Sequence, residues 1–311
     1  MPRRAFLRSF LPALLAFLSL LAVPRRVQAC ACGCGVFNLG VQGMATKPGP
    51  RAWVQYSLLN QYQDWHGNHA VPASLNSDKQ ILTSFYNLNF QYMLNREWGI
   101  YSMIPVWDRY FSTDQNFGAS PADIVSTSHQ NLSDVRVMGM YTGLSADMST
   151  ALMAGLKLPT GPYGPSVTLL DRDTQMGTGT SDLLLGAYHF GTWKRWLWYA
   201  QGFWRYALDY AEGYRPGNGL STAVGVGYTG LSRNLTPLFQ VADILRSRDM
   251  GPNADPSDTG YDDVYVDPGF SANLTRHWQV YGYFGIAIYR YVNGYQLTAP
   301  IAPTMSVVYN F

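Results

Sequence analysis

The sequence predicts an all-β protein: a transmembrane, antiparallel, up-and-down β-barrel of about twelve strands, preceded by a short N-terminal arm or plug. Three observations carry that expectation. Only 14% of the 311 residues are charged while 47% are hydrophobic, against roughly 25% charged in soluble domains, so something apolar must face this surface. After the N-terminus no run reaches the roughly 20 apolar residues of a membrane-spanning helix. From Arg51 onward, segments of about ten to sixteen residues alternate apolar with polar side chains, the period of a strand with one oily and one wet face.

The N-terminus is set apart from this pattern. Arg3, Arg4 and Arg8 precede an apolar run from Phe10 to Val23, and Val27-Gln28-Ala29 supplies small residues for signal cleavage, so residues 1–29 read as an export signal. Arg3-Arg4-Ala5-Phe6-Leu7-Arg8 also resembles a twin-arginine signal, which leaves two export routes open. The leader holds five arginines and no acid. Taking those five from the 22 bases of the chain leaves 17 against 20 acids, a net of −3. The mature chain therefore has no basic patch for nucleic acid.

Residues 30–50 form the expected arm. Cys30, Cys32 and Cys34 are the three cysteines of the chain; alternating soft ligands could gather a thiophilic ion such as Cu(I) or Zn(II). A bridge between neighbours, a lipid anchor on Cys30 and a processed tail without a role are the other readings. Glycine, Lys47 and two prolines up to Pro50 show no sustained period.

Residues 51–311 form the barrel. The expected strands are Ala52 to Gln63, Ile81 to Leu94, Gly99 to Ser112, Asp134 to Gly143, Thr150 to Pro159, Ser181 to Phe190, Trp196 to Tyr210, Ser221 to Thr229, Thr236 to Arg248, Asp263 to Leu274, Gln279 to Tyr291 and Pro303 to Phe311. Short turns such as Asn95-Arg96-Glu97 and Thr275-Arg276-His277 alternate with longer loops at Asp64 to Gln80, Thr113 to Ser133, Thr160 to Thr180, Ala211 to Leu220, Asp249 to Asp262 and Val292 to Ala302. That alternation, with an even strand count, is what short periplasmic turns and long external loops produce, and it puts both termini in the periplasm. Trp98, Trp193, Trp196 and Trp278 sit beside the short turns, where an interfacial girdle belongs. The last strand, with Met305, Val307, Tyr309 and Phe311 on one face, resembles the closing strand of a bacterial outer-membrane barrel, whose terminal aromatic is read by the assembly machinery. Its expected partners are outer-membrane lipid, that machinery and a small-molecule cargo.

The same period assigns an inner face. Gln55 and Gln61, then Asn87, Asn89 and Gln91, followed by Asp134, Arg136, Lys157, Gln201, Arg205, Asp209, Asp263 and Asp267, are expected to line the lumen. Both signs of charge occur, which argues against strong ion selectivity. Met93, Met103, Met138, Met140 and Met153 share that face as core packing or as soft ligands for Cu(I).

Gly155-Leu156-Lys157-Leu158-Pro159-Thr160-Gly161 and Gly177-Thr178-Gly179-Thr180-Ser181-Asp182-Leu183-Leu184-Leu185-Gly186 resemble the hallmark of the outer-membrane family named after the meta-pathway of phenol degradation, whose members are regarded as transporters. The resemblance implies passage of small, often apolar or aromatic, compounds across the outer membrane, with passive diffusion down the lumen as the mechanism and no cofactor required. An outer-membrane lipid or ester hydrolase is the enzyme alternative. Its nearest nucleophile and base, Ser181 and His189, are about eight residues apart on one strand, over about 25 Å, so no catalytic residue is assigned.

Overall fold

The computed structural model describes residues 43–167 and 170–311; the signal segment and the three cysteines lie outside the described residues. Fifteen strands follow in chain order: β1 (Gly49–Gln61), β2 (Gln63–Gly67), β3 (His69–Ala70), β4 (Asp78–Met93), β5 (Trp98–Asp114), β6 (Ile124–Leu132), β7 (Arg136–Tyr141), β8 (Thr150–Lys157), β9 (Asp182–Trp193), β10 (Trp196–Ala207), β11 (Gly219–Tyr228), β12 (Leu235–Arg246), β13 (Tyr261–Asn273), β14 (Trp278–Thr298) and β15 (Ile301–Asn310). All except β2, β3 and β6 form a closed antiparallel ring of twelve strands. Closure joins the two ends of the chain: β15 pairs β1 from Arg51↔Asn310 to Ser57↔Thr304, and on its other side pairs β14. No unpaired edge is left along that seam.

Three of the expected loops are mostly strand; Asp64 to Gln80 holds most of β2, all of β3 and the start of β4. β6, inside the expected loop Thr113 to Ser133, folds back onto the upper half of β5, pairing Val106↔Leu132 through Asp114↔Ile124. The expected loop Val292 to Ala302 is mostly the far end of β14, which overhangs the ring and pairs β2 from Thr298↔Gln63 to Val292↔Gly67. Polar residues above the lipid band need no apolar face, so the overhang carries no alternation to read.

Within the ring the hydrophobicity runs opposite to that of a soluble protein. Leu88, Phe90, Ile100, Leu152, Val224, Val241 and Phe270 are exposed on the outside. Their sequence neighbours Asn87, Asn89, Tyr101, Ala151, Met153, Ala223, Gln240 and Ala242 are buried inside. Trp98, Trp193, Trp196 and Trp278 are exposed at the short-turn end. On β13 the two faces separate from Asp263 to Phe270, with Asp263, Tyr265 and Asp267 buried and Pro268 and Phe270 outside.

Candidate functional site

The lumen is divided along its length. At the short-turn end the arm enters it: Met44 and Ala45 are buried among Trp53, Met93, Tyr101, Met140, Met153 and Tyr188. The backbone of the arm is held at several points. Gln91 Nε2 donates to the Gly43 carbonyl at 2.9 Å, the Ala45 amide donates to the Tyr188 hydroxyl at 2.9 Å, and Arg51 Nη1 donates to the Met44 carbonyl at 3.2 Å. Polar partners are required there, because a buried segment without secondary structure would otherwise leave amides and carbonyls unpaired. Seven methionines (Met44, Met93, Met103, Met138, Met140, Met148 and Met153) share this cluster, where flexible thioethers fill an irregular interior.

At the other end the loop after β8 folds into the barrel. Val167 and Leu170 pack with Ile81, Phe111 and Leu297, and Met176 packs with Phe85 and Trp107. Its root is an ionic knot. Lys157 Nζ lies 2.9 Å from Asp134 Oδ2 and 3.2 Å from Asp182 Oδ2, with Arg205 Nη1 3.4 Å from the same Asp182 oxygen. Asp134 also accepts from the amides of Gly161 (3.1 Å) and Thr178 (3.0 Å) and from the Thr178 hydroxyl (2.8 Å). The glycines of the two motifs allow this closeness. A Cβ on Gly177 would lie 2.2 Å from the Gly161 carbonyl oxygen, and one on Gly155 would lie 2.0 Å from that of Val137. Beneath the loop the fully buried Arg109 donates to Thr83 Oγ1 at 2.9 Å and to the Thr174 carbonyl.

Between these two stoppers, on the side of β12 to β15, β1 and β4, lies a cavity that is partly open to solvent. Its wall carries Gln55, Gln61, Asn87 and Gln240, the aromatics Phe85, Tyr261, Tyr265 and Tyr283, and the charged groups Asp263, Asp267 and Arg290. Asp263 is neutralised: Arg290 Nε and Nη2 donate to its two oxygens at 2.7 and 2.8 Å. Asp267 faces an amide, Gln240 Nε2, at 2.6 Å.

The expected inner residues fall into these three zones. Gln55, Gln61, Asn87, Asp263 and Asp267 line the cavity. Asp134, Lys157 and Arg205 are in the knot, while Gln91 holds the arm. Asn89, a buried neighbour, accepts from the Tyr101 hydroxyl at 2.7 Å. Arg136 directs Nη1 at Met103 Sδ at 3.6 Å, and Gln201 is buried. Asp209 is a correction: it is exposed past the end of β10 at Ala207, where the two-residue period no longer applies, and it accepts from the Ser181 amide at 2.9 Å.

Sequence reading missed Arg290 for a specific reason. Counting by twos from Tyr283 sends residue 290 outward, but β14 carries a bulge: Val264 pairs Tyr289 and Tyr265 pairs Ala287, so Ile288 is the extra residue and the parity inverts. The aspartate directly opposite, in the pair Asp263↔Arg290, was the one available signal. Ser181 precedes β9 and His189 is its eighth residue, exposed with Nδ1 2.8 Å from Thr150 Oγ1. Among the described residues no three His, Cys, Asp or Glu side chains are placed to hold a metal ion.

No family model and no curated protein matches the sequence. Solved structures do match. An outer membrane channel from Pseudomonas putida F1 aligns over 89% of this chain and 100% of its own, with a TM-score of 0.67 at 12% identity. Looser likenesses include a Pseudomonas aeruginosa FadL homologue (TM-score 0.47, 9% identity, 87% and 92% covered) and the Pseudomonas putida toluene transporter TodX (0.45, 9%, 85% and 90%). The chain has the fold of an outer-membrane channel, the architecture that its glycine-rich motif pair resembles.

Proposed function

We propose that the protein is an outer-membrane channel through which small molecules pass by passive diffusion, with both termini on the periplasmic side and no cofactor. The observation that supports this most is the cavity, a solvent-open space inside a barrel whose outer wall is apolar. Lining of mixed polar and aromatic character suits small organic cargo, because aromatic faces contribute area while a few amides orient the molecule. The arm at Met44 and the loop at Leu170 narrow the path at its two ends.

Purified full-length protein in a planar lipid bilayer tests the reading. Discrete conductance steps are expected, and currents no different from bare lipid would overturn it. Phe311, exposed and 4.7 Å edge-on to Tyr309, is the group offered to the assembly machinery. Phe311→Ala is expected to lower the amount of folded barrel in the outer membrane, read as heat-modifiable protein on a gel.

A further inference from the structure

The carboxyl and guanidinium groups that line the cavity are those of Asp263, Asp267 and Arg290. The bidentate Asp263–Arg290 pair occupies two of them, so Asp267 is the acid of the wall left outside that ion pair. That carboxylate is 6% exposed. A buried carboxylate without a cationic partner is costly to keep.

Hydrogen-bond direction around it is determined by a chain of donors. The Tyr199 hydroxyl donates to Gln240 Oε1 at 2.7 Å, which leaves Gln240 Nε2 to donate to Asp267 Oδ2 at 2.6 Å. Because the Tyr199 hydrogen is spent on Gln240, the Tyr283 hydroxyl, 3.1 Å from that of Tyr199, is the donor of their shared bond and keeps a lone pair. Asp267 Oδ1 rests over Gly285, where a Cβ would lie 3.0 Å away. On the same cavity wall Gln61 Nε2 donates to the Leu297 carbonyl at 3.0 Å, and its Oε1 is buried without a partner among the described residues. Gln61, Asp267 and Tyr283 thus offer acceptors beside the aromatic rings of Phe85, Tyr265 and Tyr283.

We infer that this cavity takes a small organic cation, a protonated amine on an aromatic or apolar body. The ammonium pairs with the Asp267 carboxylate, and the rings attract both the charge and the apolar body. The inference deepens the channel reading by naming its cargo class, and it rests on that reading only for the step from binding to passage.

Binding of benzylamine, benzyl alcohol and benzoate to detergent-solubilised full-length protein at pH 7, followed by calorimetry, provides the test. Benzylamine is expected to bind about tenfold or more tightly than benzyl alcohol, with benzoate weakest. Asp267→Asn is expected to abolish that preference while leaving the heat-modifiable gel shift intact. Equal affinities for the amine and the alcohol in the wild type would overturn the inference whatever the variant does. So would an unchanged preference in folded Asp267→Asn. Calorimetry needs no current: a sealed barrel that still prefers the amine would remove the channel reading and leave the cation site, whereas a conducting barrel without preference would do the reverse.

Discussion

The two sides of the lumen solve the problem of buried polarity in opposite ways. From β5 through β10 only smaller cavities remain, and the charges at the root of the inserted loop are paired: Lys157 lies between Asp134 and Asp182, Arg205 reaches Asp182, and Arg109 supports the loop. From β12 through β15, and on to β1 and β4, the interior is hollow, and Gln61, whose Oε1 has no partner among the described residues, lines the space with Asp267. Satisfied polar networks rigidify the part of a barrel that only has to stand. The unsatisfied wall is where a ligand has something to supply.

If that contrast is correct, equal-looking substitutions must have unequal effects on the two sides. The largest effect is expected at Lys157. Lys157→Met leaves Asp134 and Asp182, each at most 5% exposed, facing each other without their shared ammonium, and is expected to cost about 3–5 kcal/mol of stability, measured by urea unfolding in detergent. Next comes Gly155→Ala, whose methyl would meet the Val137 carbonyl oxygen at 2.0 Å; overpacking of that kind costs about 1–3 kcal/mol. Gly202→Ala is its control, because the nearest atom there is Thr222 Cγ2 at an ordinary 3.8 Å, and no loss is expected. On the hollow side, Asn87→Ala removes an amide that lines the cavity. It is expected to change stability by less than about 1 kcal/mol while raising single-channel conductance. A large stability loss at Asn87, or none at Lys157, would erase the distinction between the two sides.

The barrel itself was legible because a lipid-facing ring imposes a strict period of two on every strand it contains. All twelve ring strands fall on the expected segments, and the pairing of β15 with β1 followed from a terminal strand with an oily face. What lay outside the lipid band was not legible. β6 and the overhang of β14 are polar strands whose pairing, rather than whose composition, makes them strands. The knot was largely visible: Lys157, Asp134 and Arg205 were placed inward by parity, and Asp182 stands opposite Lys157 across the β8–β9 pair, but the returning loop depends on a fold-back that no local period encodes. The cavity was hidden by one bulge, since the inversion at Ile288 turns Arg290 inward and changes the charge balance of the whole wall.

The smallest expected effect concerns the inserted loop and acid. Leu170 is buried against Ile81, Phe111 and Leu297, which carries its neighbour Asp171 down with it. Burial, reinforced by the charge of Asp255, pushes the Asp171 carboxyl up to about 6, and Asp78 at the mouth of β4 is raised well above the usual carboxylate range, by burial first and then by Asp171. A carboxyl whose value is higher in the docked loop than in the free loop favours docking when protonated. Docking is therefore strongest below about pH 4 and weakens as the pH climbs through about 6. Conductance recorded at pH 4 and pH 7 is expected to be larger at pH 7, where the loop is held less firmly. Asp171→Asn keeps the neutral form at every pH and is expected to flatten the difference, whereas Glu97→Gln, in the exposed short turn between β4 and β5, is expected to leave it in place. A wild-type conductance that falls between pH 4 and pH 7 would show that the loop is not the element that narrows this end of the barrel.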